Sequence, residues 1–431
     1  MHKKFLLAGV VVAAVAGAPS AQAQLIQVTA NVGGQTQVFN FNSLDAALAQ
    51  LTGPNLSASF PGYRDGDQVA ATVDFNGAPL NLLVPRGTTT PILSDPRTGQ
   101  AIAFPSSNSS VAVANYRAFF VGQPNNGVPV SQLPASVLNT LPAGLRNAPP
   151  LTASVVLQSA VATTISDPVA GNPTSLMPQM ASADYNAAGS PTGDMLGVNQ
   201  PRGEGWRFNA GVRASLTTAS GADTQSLNVP LRGSYYFAKT ATEVFLDAPI
   251  SWVSISSVDV LQASTGIGVL QRLMSGSNYE WNATLGARWG IAGSQSYGRG
   301  SAAIGGSISS DLRLALPARY TLTMTNTAAY YQTQAVNYGG GSVDYNLQNQ
   351  FYRNGLMLAR PLGTTPSGLP LQGGLTFVQT NVTGDRFRIN SWQEYGVVVA
   401  MGGRLPTRFS VSYMNGQHNF QAVRFGFTTA F

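Results

Sequence analysis

Histidine is the usual general base of a hydrolytic enzyme. The chain has two histidines, His2 and His418, and only His418, in the segment Asn415-Gly-Gln-His-Asn419, lies outside the amino-terminal segment. Hydrolysis of the serine type needs such a base beside a nucleophile and an orienting carboxylate. No such set stands at a suggestive spacing from His418. Four acidic residues form the other candidate, a site made of carboxylates alone: Glu243, Asp247, Asp311 and Glu394. Arginines on the same faces account for these carboxylates equally well, so the sequence predicts a turn histidine and no enzyme.

The acidic cluster of the amino-terminal region is Asp65-Gly66-Asp67. A calcium ion takes six to eight oxygen ligands, and two carboxylates in a turn fall short of that number. The sequence therefore predicts a plain turn before a strand. Because no other metal or nucleotide motif is present, no cofactor is predicted.

Arginine dominates the charge of the carboxyl-terminal half, and seven arginines fall on one side of alternating segments. They are Arg207, Arg213, Arg232, Arg288, Arg313, Arg388 and Arg424. In a barrel this side lines the lumen, and a basic lumen favours anions. The alternative is that these arginines pair with the four acidic residues named above and fill a narrow barrel, because a buried charge needs a partner. The pairing interpretation is preferred.

Extended strands must position these charges, and alternation of apolar and polar residues predicts such strands. In the clearest segment, Tyr279 to Ile291, aromatic and aliphatic residues alternate with Asn282, Thr284 and Arg288. Repeated segments of about 10 residues with this pattern are typical of a transmembrane β-barrel. Twelve strands are predicted, with ten as the alternative. They lie near 205–217, 225–238, 241–255, 257–273, 278–292, 301–316, 319–334, 343–359, 369–381, 385–401, 408–415 and 420–431.

The last strand carries the most specific pattern. Counting back from the carboxyl end, Phe431, Thr429, Phe427, Phe425 and Val423 fall on one side of the strand. This aromatic ending, the even set of strands and the lack of cysteine resemble the outer-membrane barrel proteins of Gram-negative bacteria. The resemblance implies an antiparallel all-β barrel over 205–431 in outer-membrane lipid. It also implies that the barrel-assembly machinery reads the terminal strand through Val423, Phe425, Phe427 and Phe431.

The amino terminus has the pattern of an export signal over residues 1–23. Basic residues precede an apolar run from Phe5 to Gly17, and Ala21-Gln22-Ala23 forms a small-residue cleavage site. The mature chain is then expected to begin near Gln24. Charged residues make up 10% of the chain, against about 25% in typical soluble domains. Because no Lys/Arg cluster exists, nucleic acid is not a predicted partner.

Residues 24–121 are predicted to form a small exported α+β domain. Alternation indicates strands at Leu25–Ala30, Gln37–Phe41, Gln68–Phe75, Asn81–Val84 and Val111–Phe120, and Ser43 precedes a short helix, Leu44–Leu51. Residues 122–204 are rich in proline, glycine and serine. From Ser166 to Arg202 no period is visible, which predicts a flexible linker and no helix in the barrel lumen.

The order of signal, small domain, linker and carboxyl-terminal barrel resembles the autotransporters. The resemblance implies that the barrel anchors the chain and displays or secretes the amino-terminal domain. A second hypothesis is an outer-membrane pore or exporter, with the amino-terminal domain as a periplasmic plug or gate and a basic lumen. A surface ligand is the partner expected under the first hypothesis, and a transported anion under the second.

Overall fold

The structure is a computed structural model of the chain. It describes residues 26–41, 44–74, 79–120, 125–157, 167–189, 203–219, 222–255, 258–294, 299–338, 341–343 and 345–431. The predicted signal peptide, residues 1–23, lies outside the described residues. None of the described helices is long and apolar enough to cross a bilayer.

The described part of the amino-terminal region contains a seven-stranded sheet in which all neighbouring strands are antiparallel. Its strands are β1 (Ile26–Val32), β2 (Gln35–Phe41), β3 (Val69–Asp74), β4 (Pro79–Val84), β5 (Ile92–Asp95), β6 (Gln100–Ala103) and β7 (Val128–Pro129), in the order β2-β1-β3-β4-β5-β6-β7. Its helices are α1 (Leu44–Ala49), α2 (Gly53–Ser59), α3 (Ser109–Phe120), a 3-10 turn (Val130–Gln132), α4 (Ala135–Leu138) and α5 (Ala143–Arg146). The predicted mixture of strands with a short helix after Ser43 is confirmed.

The strand predicted at Val111–Phe120 is wrong, because these residues belong to α3. The side-chain Oδ1 of Asn108 accepts the backbone N–H of Val111 at 3.0 Å and caps the first turn. Tyr116 and Phe119 are buried at helical spacing and pack edge-on against the ring of Phe104. Burial of this aromatic face outweighs the strand preference of the valines in the first turn.

The carboxyl-terminal half is a closed, twelve-stranded antiparallel barrel within the described residues, as predicted. Its strands are β8 (Gly205–Ala219), β9 with β10 (Ala222–Val229 and Leu231–Phe237), β11 with β12 (Thr242–Asp247 and Ile250–Ile255), β13 (Val258–Ser275), β14 (Tyr279–Ser294), β15 (Arg299–Ala315), β16 (Thr321–Gln334), β19 (Gln348–Thr364), β20 (Pro370–Gly384), β21 (Ser391–Met401), β22 (Thr407–Gly416) and β23 (Gln421–Ala430). A small hairpin, β17 (Val336–Tyr338) and β18 (Gly341–Val343), lies in the connection after β16. Pro230 and Pro249 interrupt the second and third strands, since proline lacks the N–H that the ladder needs.

The last strand closes the barrel by pairing with the first, from Gln421 opposite Thr218 to Ala430 opposite Asn209. Phe431 and Phe208 exchange backbone hydrogen bonds of 2.9 and 3.0 Å, so the chain end and the start of β8 lie at the same rim. We call this rim the near end and the opposite rim the far end. The turn between β19 and β20 spans 365–369, because β19 extends past the predicted boundary at 359 to Thr364.

The two faces of the barrel differ in polarity as a lipid environment requires. Large apolar side chains face outward along the strands, among them Trp206, Leu285, Ile308, Leu375 and Phe425. Alternate residues face inward, and many of these buried residues are polar, including Thr284, Ser309 and Thr325. This is the pattern of a barrel that spans a membrane. One further helix, α6 (Leu176–Gly189), lies inside the barrel against β13–β16 and β19.

Candidate functional site

The helix α6 fills part of the lumen, so the prediction of a structureless linker from Ser166 to Arg202 is wrong over 167–189. Leu176, Met177 and Met180 are fully buried against the barrel wall. Glycines in the barrel wall leave space for the side chains of the helix. A Cβ atom at Gly290 would lie 3.0 Å from the side chains of Leu176 and Met180, and one at Gly355 would lie 1.7 Å from the hydroxyl of Tyr185. Helix and wall therefore fit together closely.

A compact buried turn precedes the helix and carries its own hydrogen bonds. The carboxylate Oδ1 of Asp167 accepts the backbone N–H groups of Val169 and Ala170, at 2.8 and 3.1 Å. The backbone carbonyl of Thr174 accepts the side-chain amide of Gln262, on β13, at 3.0 Å. Tyr345 donates its hydroxyl to Asp167 Oδ2 at 3.2 Å. Side chains of the far-end half of the barrel form an apolar core with this segment: Ala292, Ala303, Tyr331, Phe351, Trp392, Met414 and Phe420.

Arg288 links the helix to the barrel through two buried carboxylates. Its Nε atom lies 2.8 Å from Asp184 Oδ1 on α6, and its Nη1 atom lies 2.6 Å from Asp247 Oδ1 on β11. Tyr331 on β16 donates its hydroxyl to the other oxygen of Asp184. Arg288 reaches Asp247 across Gly266, where a Cβ atom would lie 2.5 Å from Nη2. The guanidinium is thus held between two negative charges in a site that excludes solvent.

Other inward arginines also have carboxylate partners. Arg232 lies 3.1 Å from Glu243 and donates to the carbonyl of Ala187 on α6 at 3.2 Å. Arg313 lies 2.9 Å from Asp311. Arg424 lies 3.5 Å from Glu394. The four acidic residues singled out in the sequence therefore stand beside arginines, as the pairing interpretation expects, and none of them forms a site made of carboxylates alone.

Three predicted lumen arginines have other surroundings. Arg207 lies near the near-end rim, with its guanidinium 5.4 Å from the ring centroid of Tyr236. Arg213 lies half-buried on β8 and lines the lumen cavities. Arg388 was expected on a strand beginning at 385, and this placement is wrong. It lies in the far-end connection 385–390, because the N–H of Asp385 bonds back to the carbonyl of Gln348 and the ladder resumes at Ser391.

Several residues of the lumen were not found from the sequence. The ion pair between Arg272 and Glu280, 3.4 Å apart, and the buried Arg353 obey the same alternation as the residues that were found. Asp184 and Tyr185 could not be assigned to the lumen from the sequence, because the helix that carries them was not predicted. Val423, Phe425, Phe427 and Phe431 all expose their side chains on the outside of the barrel. Their recognition by the assembly machinery stays a prediction.

The two chemical candidates outside the lumen lie in turns. His418 has a φ of 55° in the turn between β22 and β23, and partial burial together with the nearby Arg388 lowers the pKa of its imidazole. Asp67 accepts the N–H of Arg64 at 2.8 Å within its own turn. Among the described residues, no group of three or more His, Cys, Asp or Glu side chains could hold a metal ion.

A closed barrel with an apolar outer surface and a largely polar inner face defines an outer-membrane β-barrel protein, here with a helix in its lumen. No protein-family model and no curated protein sequence matches the chain. Similar solved structures include the beta domain of the Bordetella autotransporter BrkA, at 12% identity and a TM-score of 0.40, over 53% of this chain and 99% of that one. The translocator domain of the autotransporter NalP from Neisseria meningitidis has 12% identity and a TM-score of 0.38, over 59% and 94%. The COG4313 outer membrane channel from Pseudomonas putida F1 has 13% identity and a TM-score of 0.39, over 55% and 99%.

Proposed function

We propose that the barrel anchors this protein in the outer membrane and displays the amino-terminal domain on the cell surface, in the manner of an autotransporter. The observation that carries the proposal is the path of the chain. The strand β8 starts at the near end, α6 lies in the lumen, and Val253 and Val260 beside the far-end hairpin share an apolar cluster with the core of the amino-terminal sheet. The described lumen segment, residues 167–189, therefore lies between the amino-terminal sheet, which packs beside the far end, and the start of β8 at the near end.

The lengths of the connections support the proposed orientation. The longest connection between barrel strands, from β16 to β19 over 335–347, lies at the far end, and every other connection at either rim has six residues or fewer. Bacterial barrels have short periplasmic turns and longer external loops. With the far end outside, the amino-terminal domain is external.

The alternative is a pore or exporter gated by a periplasmic amino-terminal domain. An open aqueous channel of this kind needs a hydrated lumen, but here a helix, a buried turn and an apolar core occupy the far-end half. Release of α6 would separate Asp184 from Arg288, at a cost of about 3–5 kcal/mol for breaking a buried ion pair. The filled lumen favours an anchor over a constitutive pore. The proposal assigns the protein no catalytic activity and no cofactor.

The test is protease access to an epitope tag inserted after Gln24, on intact cells and on cells with a permeabilised outer membrane. Display predicts loss of the tag on intact cells. Protection until permeabilisation would overturn the proposal and make the gated pore the leading function. A tag in the near-end turn at 402–406, which is expected to remain protected on intact cells, is the matched control for membrane integrity.

A further inference from the structure

Polar side chains interrupt the apolar outer face of the barrel on four neighbouring strands. Asn326 on β16 and Asn354 on β19 stand directly opposite each other, and both expose their side chains on the outside of the barrel. The row continues to Ser310 on β15, opposite Asn326, and to Gln379 on β20, opposite Asn354. We call these four residues the outer polar row.

The middle of the outer polar row lies at the depth of the lipid chains. On the same two strands Tyr330 and Tyr352 are exposed, and their hydroxyls donate to glutamine side chains on the far-end side at 3.2 and 2.7 Å. Tyrosines with a polar end of this kind mark the membrane–water interface of a barrel. Asn326 and Asn354 lie four and two residues from these tyrosines towards the near end, which is roughly 13 and 7 Å along their strands. Both amides are therefore on the hydrocarbon side of the interface.

Apolar side chains surround the two asparagines on the outer face. The next outward pair towards the near end is Met324 opposite Leu356, and both are exposed. The next outward pair towards the far end is Ala328 opposite Tyr352. In an isolated barrel the two amides would therefore contact lipid chains.

The ends of the outer polar row have hydrogen bonds within the barrel, but its middle has none. Ser310 Oγ accepts the indole N–H of Trp281 at 2.9 Å, and the amide of Gln379 donates to Ser391 Oγ at 3.1 Å. Within the described part of the chain, the side chains of the two central asparagines have no hydrogen-bond partner. Each amide carries two donors and an acceptor oxygen, and lipid chains can satisfy neither. An unpaired amide is unfavourable in hydrocarbon, so this site calls for a polar partner inside the membrane.

We propose that the outer polar row is the centre of an interface between two copies of this chain in the outer membrane. Two copies inserted in the same orientation hold Asn326 and Asn354 at the same depth. A two-fold axis along the membrane normal then brings the asparagines of one copy against those of the other, and amides pair with amides because each can both donate and accept. Lipid headgroups lie at the level of the tyrosines, above this depth. Ala328 is small and lets the two walls approach closely.

The experiment uses outer membranes from cells that express the full chain, which has no cysteine of its own. Ala328→Cys places a thiol beside the proposed centre. Val212→Cys places one on the outward face of β8, on the opposite side of the barrel, and reports random collisions. After oxidation, Ala328→Cys should give a disulfide-linked product of twice the mass of the chain, at least tenfold more abundant than with Val212→Cys.

Substitutions in the Ala328→Cys background test the role of the two amides. Asn326→Leu combined with Asn354→Leu puts apolar side chains on a lipid-facing surface, so the barrel is expected to fold, and its faster migration on unheated gels checks this. The yield of linked dimer should fall at least tenfold. Thr265→Leu, an equivalent change at an exposed outward position on β13, is the matched control and should leave the yield unchanged.

Three results would overturn the proposal. They are equal yields with Ala328→Cys and Val212→Cys, equal yields in the double-leucine and Thr265→Leu variants, and a linked product whose mass is not twice that of the chain. The last result would replace the second copy with a different membrane protein. The expected dimer does not depend on which side of the membrane holds the amino-terminal domain, so it is independent of the proposed function.

Discussion

Asp184 makes the most direct polar contacts between α6 and the barrel wall. Replacing it with alanine should lower the free energy that holds α6 in the lumen by a measurable amount. Its carboxylate accepts hydrogen bonds from Arg288 and Tyr331. These two residues are 2% and 0% exposed. In Asp184→Ala both donors stay buried, and each loses one partner. An unpaired buried donor costs about 1–3 kcal/mol, and Arg288 keeps Asp247. The expected loss is about 3 kcal/mol in the free energy that holds α6 in the lumen.

The chain contains no cysteine, which makes thiol labelling a clean assay. A single Asn186→Cys substitution places one thiol on the lumen helix, two residues after Asp184. If labelling requires release of the helix, its rate follows the released population. A loss of about 3 kcal/mol then corresponds to a labelling rate about 100-fold higher in the Asp184→Ala background, since about 1.4 kcal/mol is a factor of ten.

Two further variants sharpen this measurement. Asp259→Ala removes an exposed carboxylate from β13 and should change the rate by less than about threefold, as surface substitutions do. Asp184→Asn keeps an oxygen that can accept from Tyr331 and should give an intermediate rate. Equal labelling in the Asp184→Ala and Asp259→Ala backgrounds would refute the claim that the buried pair seats the helix.

Three other expectations follow from single contacts. Gly355→Ala places a Cβ atom 1.7 Å from the hydroxyl of Tyr185; overpacking of this kind costs about 1–3 kcal/mol, lowers the unfolding temperature in detergent, and should be partly restored by Tyr185→Phe. Phe431→Ser removes a ring stacked 6.2 Å from Phe208 and should cost about 1 kcal/mol of stability in detergent; recognition by the assembly machinery predicts a much larger loss of assembled barrel in cells, and equal losses would contradict it. Burial and the neighbouring Asp65 raise the pKa of Tyr63 to about 12, so its neutral phenol stabilises the amino-terminal domain fully below about pH 10, and this contribution disappears as the pH rises towards 12. Burial also raises the pKa of Tyr116 in the same domain, so Tyr63→Phe should reduce the alkaline slope of an unfolding titration without abolishing it, and an unchanged slope would exclude a contribution from Tyr63.

The barrel could be predicted from the sequence because two different solvents act on every strand. Lipid selects the outward residues and the polar lumen selects the inward ones, so the alternation survives along each strand. The four acidic residues named above and most of the predicted lumen arginines were located for the same reason, whereas Arg272, Glu280 and Arg353 were missed although they obey the same alternation. Arg388 was misplaced because alternation continues across 385–390, where Phe387 and Ile389 enter the far-end core instead of facing lipid.

The lumen helix could not be predicted in the same way, because even its most exposed side chains, such as Gln179 and Asn186, are half-buried. Leu176, Met177, Met180 and Ala181 are buried together, and the polar residues between them are too few to mark a helical period. Proline inside a helix usually breaks it, so Pro178 does not favour a helical prediction either. In the structure it lies in the first turn of α6, where the missing N–H has no helical partner to lose. The helix is stabilised by contacts with the barrel that encloses it. These contacts come from residues distant in sequence, so the sequence of the helix itself does not indicate them.

The choice of ion partners shows where alternation stops being informative. Arg232, Asp247, Gly266 and Arg288 lie in one row across four neighbouring strands. The row alone would pair Arg232 with Asp247, its direct neighbour. Gly266 has no side chain, so Arg288 reaches over it to Asp247 and leaves Arg232 to bind Glu243. Asp184 of the helix then supplies the second carboxylate to Arg288. The face of each charge follows from its position in a strand, whereas its partner is decided by a missing Cβ atom in the wall and by a helix that comes from outside the sheet.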